Sequence, residues 1–362
     1  MAHSSDYEQT PAIDFSVSEF TGALGDSVTV FPIVVAIGAL TDLSLTHLLL
    51  GFAVFQVVWG LHYGLPMSVE PMKALAALVI AGSLTAGELA VAGLLAGGIL
   101  LVVGSTGTLG RLTQYIGQPV IRGVQVAVAL ILLETGVQLG LNSIPLALVA
   151  VAIAGVVILA GYPRASALVV LCVGVGITVA QTGLPAPVYP TIAIGLPDVQ
   201  AVSITAVEGT LAQLAMTVGN AAVATSLLLS DFYDADVSAD ELASSMGVMN
   251  LVAIPLGAMP MCHGSGGVAG KYAFGARTAG SNLILGAIYA IAAVVAVGIV
   301  AAFPLSMLGV ILALIAVELG RTGLKSDQLA VTIGVGVIGL VTNVGVAFVV
   351  GAVGYLGLQR FR

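Results

Sequence analysis

Apolar residues run almost unbroken from Glu19 to the end of the chain, and small clusters of Gly, Pro and charge cut them into lengths that suit membrane-crossing helices of about 20 residues. The pattern predicts helices near 19–40, 46–63, 71–83, 87–105, 117–140, 144–161 and 165–183, followed by a Pro-rich loop over 184–197. A second set is predicted near 208–230, 241–258, 264–275, 280–303, 305–320, 327–341 and 343–357. The runs are continuous, without the alternation of a strand barrel. The expected fold is an all-α polytopic membrane protein of about fourteen segments. A polar tail covers 1–18, seven helices fall in 19–198 and seven more in 199–362.

Composition agrees. The chain is 59% apolar and 8% charged, with a mean hydropathy of +1.13, whereas soluble domains carry about 25% charged residues. The net charge of −8 is spread over tails and loops and reads as solvation of exposed ends; nucleic acid is excluded as a partner. Cys172 and Cys262 form neither a disulfide framework nor a zinc spacing, so no cofactor or metal is expected. Residues 1–18 lack the basic and apolar regions of a signal peptide. Basic residues favour cytoplasmic loops. With the N-terminus inside, Arg111, Arg164, Lys271, Arg277, Arg321, Lys325, Arg360 and Arg362 all fall on the cytoplasmic side and the opposite loops hold none. Both termini are therefore expected in the cytoplasm, and the chain in the cell membrane.

Two stretches break the apolar pattern. One is Leu65-Pro66-Met67-Ser68-Val69-Glu70-Pro71-Met72-Lys73; the other is Met259-Pro260-Met261-Cys262-His263-Gly264-Ser265-Gly266-Gly267. Pro66-Met67 maps onto Pro260-Met261 at an offset of 194 residues, and the same offset carries Gly25-Asp26 onto Gly219-Asn220. This suggests an internal duplication. Seven helices per copy, an odd number, would invert the second copy, and inverted-repeat transporters bind substrate near the midplane between broken helices. Each stretch would run extended to mid-membrane and then start a half-helix, near Pro71 and near Gly264. Facing half-helix N-termini offer free N–H groups and positive dipole ends, which favour an anion.

Several side chains could serve such a site. Ser68 and Ser265 offer hydroxyls, and Gly264, Gly266 and Gly267 allow close approach to backbone N–H groups. Lys73 either pairs with Glu70 or supplies charge to the anion. Asp26 could carry a coupling proton, bind a cation, hold Lys73 or make a purely structural pair. His263 could titrate or act as a neutral donor, and Cys262 reads as a packing residue. Arg122 and Gln125 share a helix face; they line the path, or Arg122 snorkels to the interface.

Gly22-Ala23-Leu24-Gly25-Asp26 with Pro32, Met67 to Lys73, Pro119-Val120-Ile121-Arg122-Gly123-Val124-Gln125 and Met259 to Gly267 with Phe274-Gly275-Ala276-Arg277 resemble the molybdate transporter family, a compact relative of the sulfate permeases. The resemblance implies a seven-plus-seven inverted-repeat fold in which a core (helices 1–4 and 8–11) moves against a gate (helices 5–7 and 12–14). It also implies molybdate uptake, with tungstate or sulfate as competitors. The candidate substrate-binding set is Thr29, Ser68, Val69, Glu70, Met72, Lys73, Gln125, Cys262, His263, Gly264, Ser265 and Gly266. Coupling-ion candidates are Asp26, Glu70, Asn220 and His263; Asn220 stands where the duplication would put a second acid. Expected partners are the oxyanion, a proton or sodium ion, the lipid bilayer and, as an open option, a second copy in a homodimer. The alternatives are another anion or a nucleobase on the same fold, or an uncoupled anion channel. Cys262-His263 lacks the third group a nucleophilic enzyme needs, so no enzyme is expected.

Overall fold

The computed structural model describes residues 13–113, 117–191 and 194–360, apart from the side chains at 29, 112 and 113. Each predicted segment coincides with helix. The first half holds α1 (Val17–Leu40), α2 (Leu45–Tyr63), β1 (Glu70–Pro71), α3 (Lys73–Ile80), α4 (Ala86–Ser105), α5 (Leu109–Thr113), α6 (Gln118–Gly140), α7 (Ile144–Leu159) and α8 (Ser166–Thr182). The second holds α9 (Ile204–Met216), a π-helical run over Thr217–Ala224, α10 (Thr225–Tyr233), α11 (Ala239–Ala253), β2 (Met261–Cys262), α12 (Ser265–Ala273), α13 (Gly280–Ala301), α14 (Leu305–Gly323), α15 (Leu329–Val341) and α16 (Val344–Arg360). Among the described residues, seven helical stretches are long and apolar enough to cross a membrane, or eight if the two parts of α1 count as one span.

Local chemistry sets the boundaries. Thr85 with Glu88 and Ser238 with Glu241 form capping boxes at the starts of α4 and α11, each satisfying two N–H groups that a helix start leaves open. Pro32 lies inside α1, which bends by 45° between Val17–Val28 and Val30–Leu40; a proline ring clashes with the carbonyl four residues earlier, here that of Val28. Gly257, at φ 82°, closes the turn after α11 and releases the chain into the strand.

The packing repeats itself. α2 lies on α13 and α4 on α11, contacts that interchange when the two halves are swapped. In the same way α1 on α12 and α13 answers α9 on α3 and α4, while α6 on α15 answers α14 on α7, and the broad α6–α14 contact maps onto itself. Two layers result, one of α1–α4 with α9–α13 and one of α6–α8 with α14–α16. At the centre of the first layer, β1 and β2 pair antiparallel with Glu70 opposite Cys262 and Pro71 opposite Met261.

Candidate functional site

Extended backbone deep in a membrane must find hydrogen bonds inside the protein. Here buried side chains provide them. Asn250 of α11 clamps Met261, its Oδ1 accepting from the backbone N–H at 2.8 Å and its Nδ2 donating to the carbonyl at 2.7 Å. Gln56 of α2, which stands 194 residues earlier, donates through Nε2 to the Val69 carbonyl at 3.2 Å. The Met67 carbonyl accepts from Lys271 Nζ and from Asn282 Nδ2, both at 2.6 Å. Met72 N–H donates to the Pro260 carbonyl at 3.0 Å and ties the two strands together.

Asp26, Gln56, Lys271 and Asn282 form one knot, all fully buried. Asp26 Oδ1 accepts from Ser68 Oγ at 2.7 Å, and its Oδ2 accepts from Gln56 Nε2 at 2.9 Å and lies 3.3 Å from Lys271 Nζ. Lys271 also donates to Gln56 Oε1 and Asn282 Oδ1, at 3.0 and 2.9 Å. This corrects one expectation and decides between two alternatives. Lys271 does not sit in a cytoplasmic loop; it is on α12 with no exposed surface. Lys73 pairs with Glu70, so Lys271 is the lysine that neutralises Asp26.

Each half-helix N-terminus already carries an acceptor. Gly267 N–H, in the first turn of α12, donates to Glu70 Oε1 at 2.7 Å, while Glu70 Oε2 accepts from Lys73. On α3, the Ala74 and Leu75 N–H groups donate to Gln213 Oε1 at 3.0 and 3.4 Å; Gln213 Nε2 donates in turn to Thr217 Oγ1 at 2.9 Å. Gln213 is a polar residue in an apolar run that sequence reasoning passed over. It occupies in α9 the place Asp26 holds in α1, since the helices start at 17 and 204, a spacing of 187.

The offset of 194 thus holds for α2 and α11, which start at 45 and 239, and for the Pro-Met pairs, but not for the first helix. The second half is longer there: α9 through α10 spans 204–233, 30 residues, against 24 in α1. The π-helical run lies in this longer stretch, as single extra turns of that kind often do near functional sites.

Between the layers, beside both half-helix starts, lies a cavity of about 340 Å³. Of the sequence candidates, Glu70, Lys73, Gln125, Asn220, Cys262, His263, Gly264, Ser265 and Gly266 line it. Ser68, Val69, Met72 and Asp26 do not; they are buried behind it. The side chain of Thr29 lies outside the described residues. His263 Nδ1 is 3.1 Å from the Ser68 carbonyl, which can only accept, so the Nδ1 proton is fixed there. Its Nε2 is 2.8 Å from Ser245 Oγ, and its ring stands edge-on to Trp59 and Tyr63. Gln125 Oε1 accepts from Arg122 Nη1 at 3.0 Å. A guanidinium only donates, so the Gln125 amide is held with its NH2 group as the free donor. Away from the half-helices the cavity extends to Arg164, Glu318, Arg321 and Thr322. Among the described residues no group of three His, Cys, Asp or Glu side chains could hold a metal ion.

Two facing half-helices beside a shared cavity, framed by two layers whose packing interchanges between halves, define a membrane transporter of the inverted-repeat kind. The transmembrane domain of a cyanobacterial bicarbonate transporter, BicA, shares this fold: it is 17% identical, with a TM-score of 0.70 over 92% of this chain and 97% of that one. In sequence, residues 18–132 and 205–319 both match the family described as "Molybdate transporter of MFS superfamily", and their starts repeat the 187-residue spacing of α1 and α9. The chain belongs to this molybdate transporter family. Molybdate transporter 1 of Arabidopsis thaliana is 30% identical across 94% of this chain and 88% of its own length. Molybdate transporter 2 of the same plant is 29% identical across 83% and 78%.

Proposed function

We propose that this chain imports a tetrahedral oxyanion, molybdate first, by alternating access of the cavity coupled to a proton or sodium ion. The observation that carries the reading is the donor set at one end of the cavity. Lys73, Gln125, Ser265, Gly264 and Gly266 all line it, drawn from both layers, and this supports the reading in a family of molybdate transporters. Neutral donors and half-helix ends suit a small oxyanion. A nucleobase would call for carboxylates from the second half of the core, and the cavity carboxylates come from Glu70 and Glu318 instead.

Basic residues favour the cytoplasmic side, which supports reading the face with Arg164 and Arg321 as the cytoplasmic one. The cavity mouth with Arg164 and Arg321 then opens inward. A second cavity, of about 370 Å³, lies between α3 and α9 on one side and α6, α15 and α16 on the other, lined by Glu134, Glu208 and Asn343; it would be the closed outward path. Rocking of the core layer, Asp26–Lys271 knot included, against the gate layer would expose the site alternately.

Moving a dianion into a negative interior costs about 2.3 kcal/mol per charge per 100 mV, so net uptake needs a co-transported cation. In proteoliposomes of the purified chain, molybdate uptake is expected to accelerate under an inward proton or sodium gradient and to saturate. Uptake that ignores both gradients and does not saturate would instead mean a channel. Gln125→Leu removes one donor to the anion while leaving both half-helices in place. It is expected to raise the dissociation constant for molybdate by roughly ten- to a hundredfold, the worth of one hydrogen bond to a charged group, read by calorimetric titration.

A further inference from the structure

In the structure the N-terminus of α12 holds a carboxylate of the protein itself. Glu70 is 1% exposed, yet it contributes to the cavity wall. Its Oε1 takes the Gly267 N–H at 2.7 Å and its Oε2 takes Lys73. The backbone is shaped around it: a Cβ at Gly264 would fall on the Glu70 carboxyl group, and one at Gly267 would crowd Glu70 Oε1 together with Ser68 Oγ and Asp26 Oδ1. Gly266, between them, is open to the cavity. A carboxylate on a helix N-terminus satisfies the same N–H groups and the same dipole that an incoming oxyanion would use.

The geometry points to Glu70 as an internal anion that competes with the transported oxyanion for the seat on α12, and that takes up a proton as the oxyanion displaces it. This rests on the oxyanion reading above and adds to it the residue that carries the proton. Two anions cannot share one N-terminus and one lysine at contact distance; one must move off or lose its charge. Protonated Glu70 no longer competes for Gly267 N–H or for Lys73, and both pass to the oxyanion. The balance is simple: one proton joins the Glu70 carboxylate, one oxyanion takes its donors, and no covalent bond changes in the substrate.

The groups that face Glu70 leave this role to it. Lys73 comes from its own segment and Cys262 from across the strand pair; Asp26, Lys271 and Tyr289 face it from α1, α12 and α13. Asp26 and Lys271 hold each other, and His263 turns both ring nitrogens to Ser68 and Ser245. Glu70 is the acid that sits on the anion's own donors.

The test is calorimetric titration of the purified full chain with molybdate, at one pH, in buffers of widely different ionisation enthalpy. The wild-type chain is expected to take up close to one proton per oxyanion bound, with the dissociation constant rising tenfold per pH unit in alkaline solution. Glu70→Gln is expected to bind without proton uptake and at least tenfold more tightly at alkaline pH. Wild-type binding with no proton uptake, or with an affinity flat in pH, would overturn the proposal, and so would proton uptake that persists in Glu70→Gln. The wild-type pH series keeps the proposal open to refutation should the variant fail to fold. Failure of wild-type protein to bind molybdate or sulfate at any pH would instead sink the oxyanion reading, and this proposal with it.

Discussion

Lys271→Met is expected to destabilise the protein by about 3–5 kcal/mol, the cost of leaving one charge of a buried pair without its partner. The ammonium lies 3.3 Å from the Asp26 carboxylate and also holds the Met67 carbonyl, Gln56 and Asn282. Removing it releases the strand before β1 as well as the helix α1. Thermal unfolding in detergent should show a large fall in melting temperature for Lys271→Met, and a partial return in the double variant with Asp26→Asn, where the orphaned charge is gone. A single variant as stable as the wild type would mean that the pair is not what holds α1 to α12.

Gly267→Ala is expected to abolish molybdate binding and to cost about 1–3 kcal/mol of stability through overpacking. The added methyl group has no room, since it would meet the Ser68 hydroxyl and the Asp26 carboxylate as well as Glu70. Relief requires the first turn of α12 to move away from β1, which dismantles the seat shared by Glu70 and the oxyanion. Gly98→Ala on α4 is the contrast: nothing lies within 4 Å of the new Cβ, and alanine favours helix by about 1 kcal/mol over glycine. Calorimetric titration and melting of the two variants side by side separate a packing effect of the site from a general effect of removing a membrane glycine. Equal binding by both would contradict the cradle.

Much of the fold could be read from the chain because membrane helices announce themselves as apolar runs, and Gly, Pro and charge mark their ends. The half-helices could also be read, since Pro66-Met67 and Pro260-Met261 sit where no ordinary span could continue. What the pattern hid was tertiary. The charge pattern places Lys271 with the cytoplasmic loops, and in the nine-residue, glycine-rich α12 a lysine looks solvated until Asp26, 245 positions earlier, is folded against it. The sequence groups Ser68 with the anion's donors, yet its hydroxyl turns to Asp26. A constant offset matches Asn220 to Asp26, which the longer helix α9–α10 breaks; Gln213 takes that place, visible in sequence only as one amide in an apolar run. Gln56, Asn250 and Asn282 are of the same kind. Each is a polar residue in a span whose role depends on the unpaired backbone it meets across the core.

Whether the cavity between the half-helices binds a tetrahedral oxyanion is decided by titrating the purified chain with molybdate, with excess sulfate as competitor and Ser265→Leu as the blocked site. Ser265 opens α12 and lines the cavity, so a leucine there fills the space before the helix end without touching the Asp26–Lys271 knot. Saturable binding of molybdate that survives sulfate and disappears in Ser265→Leu is the result predicted. No binding of either anion, or binding unchanged by the leucine, would contradict it.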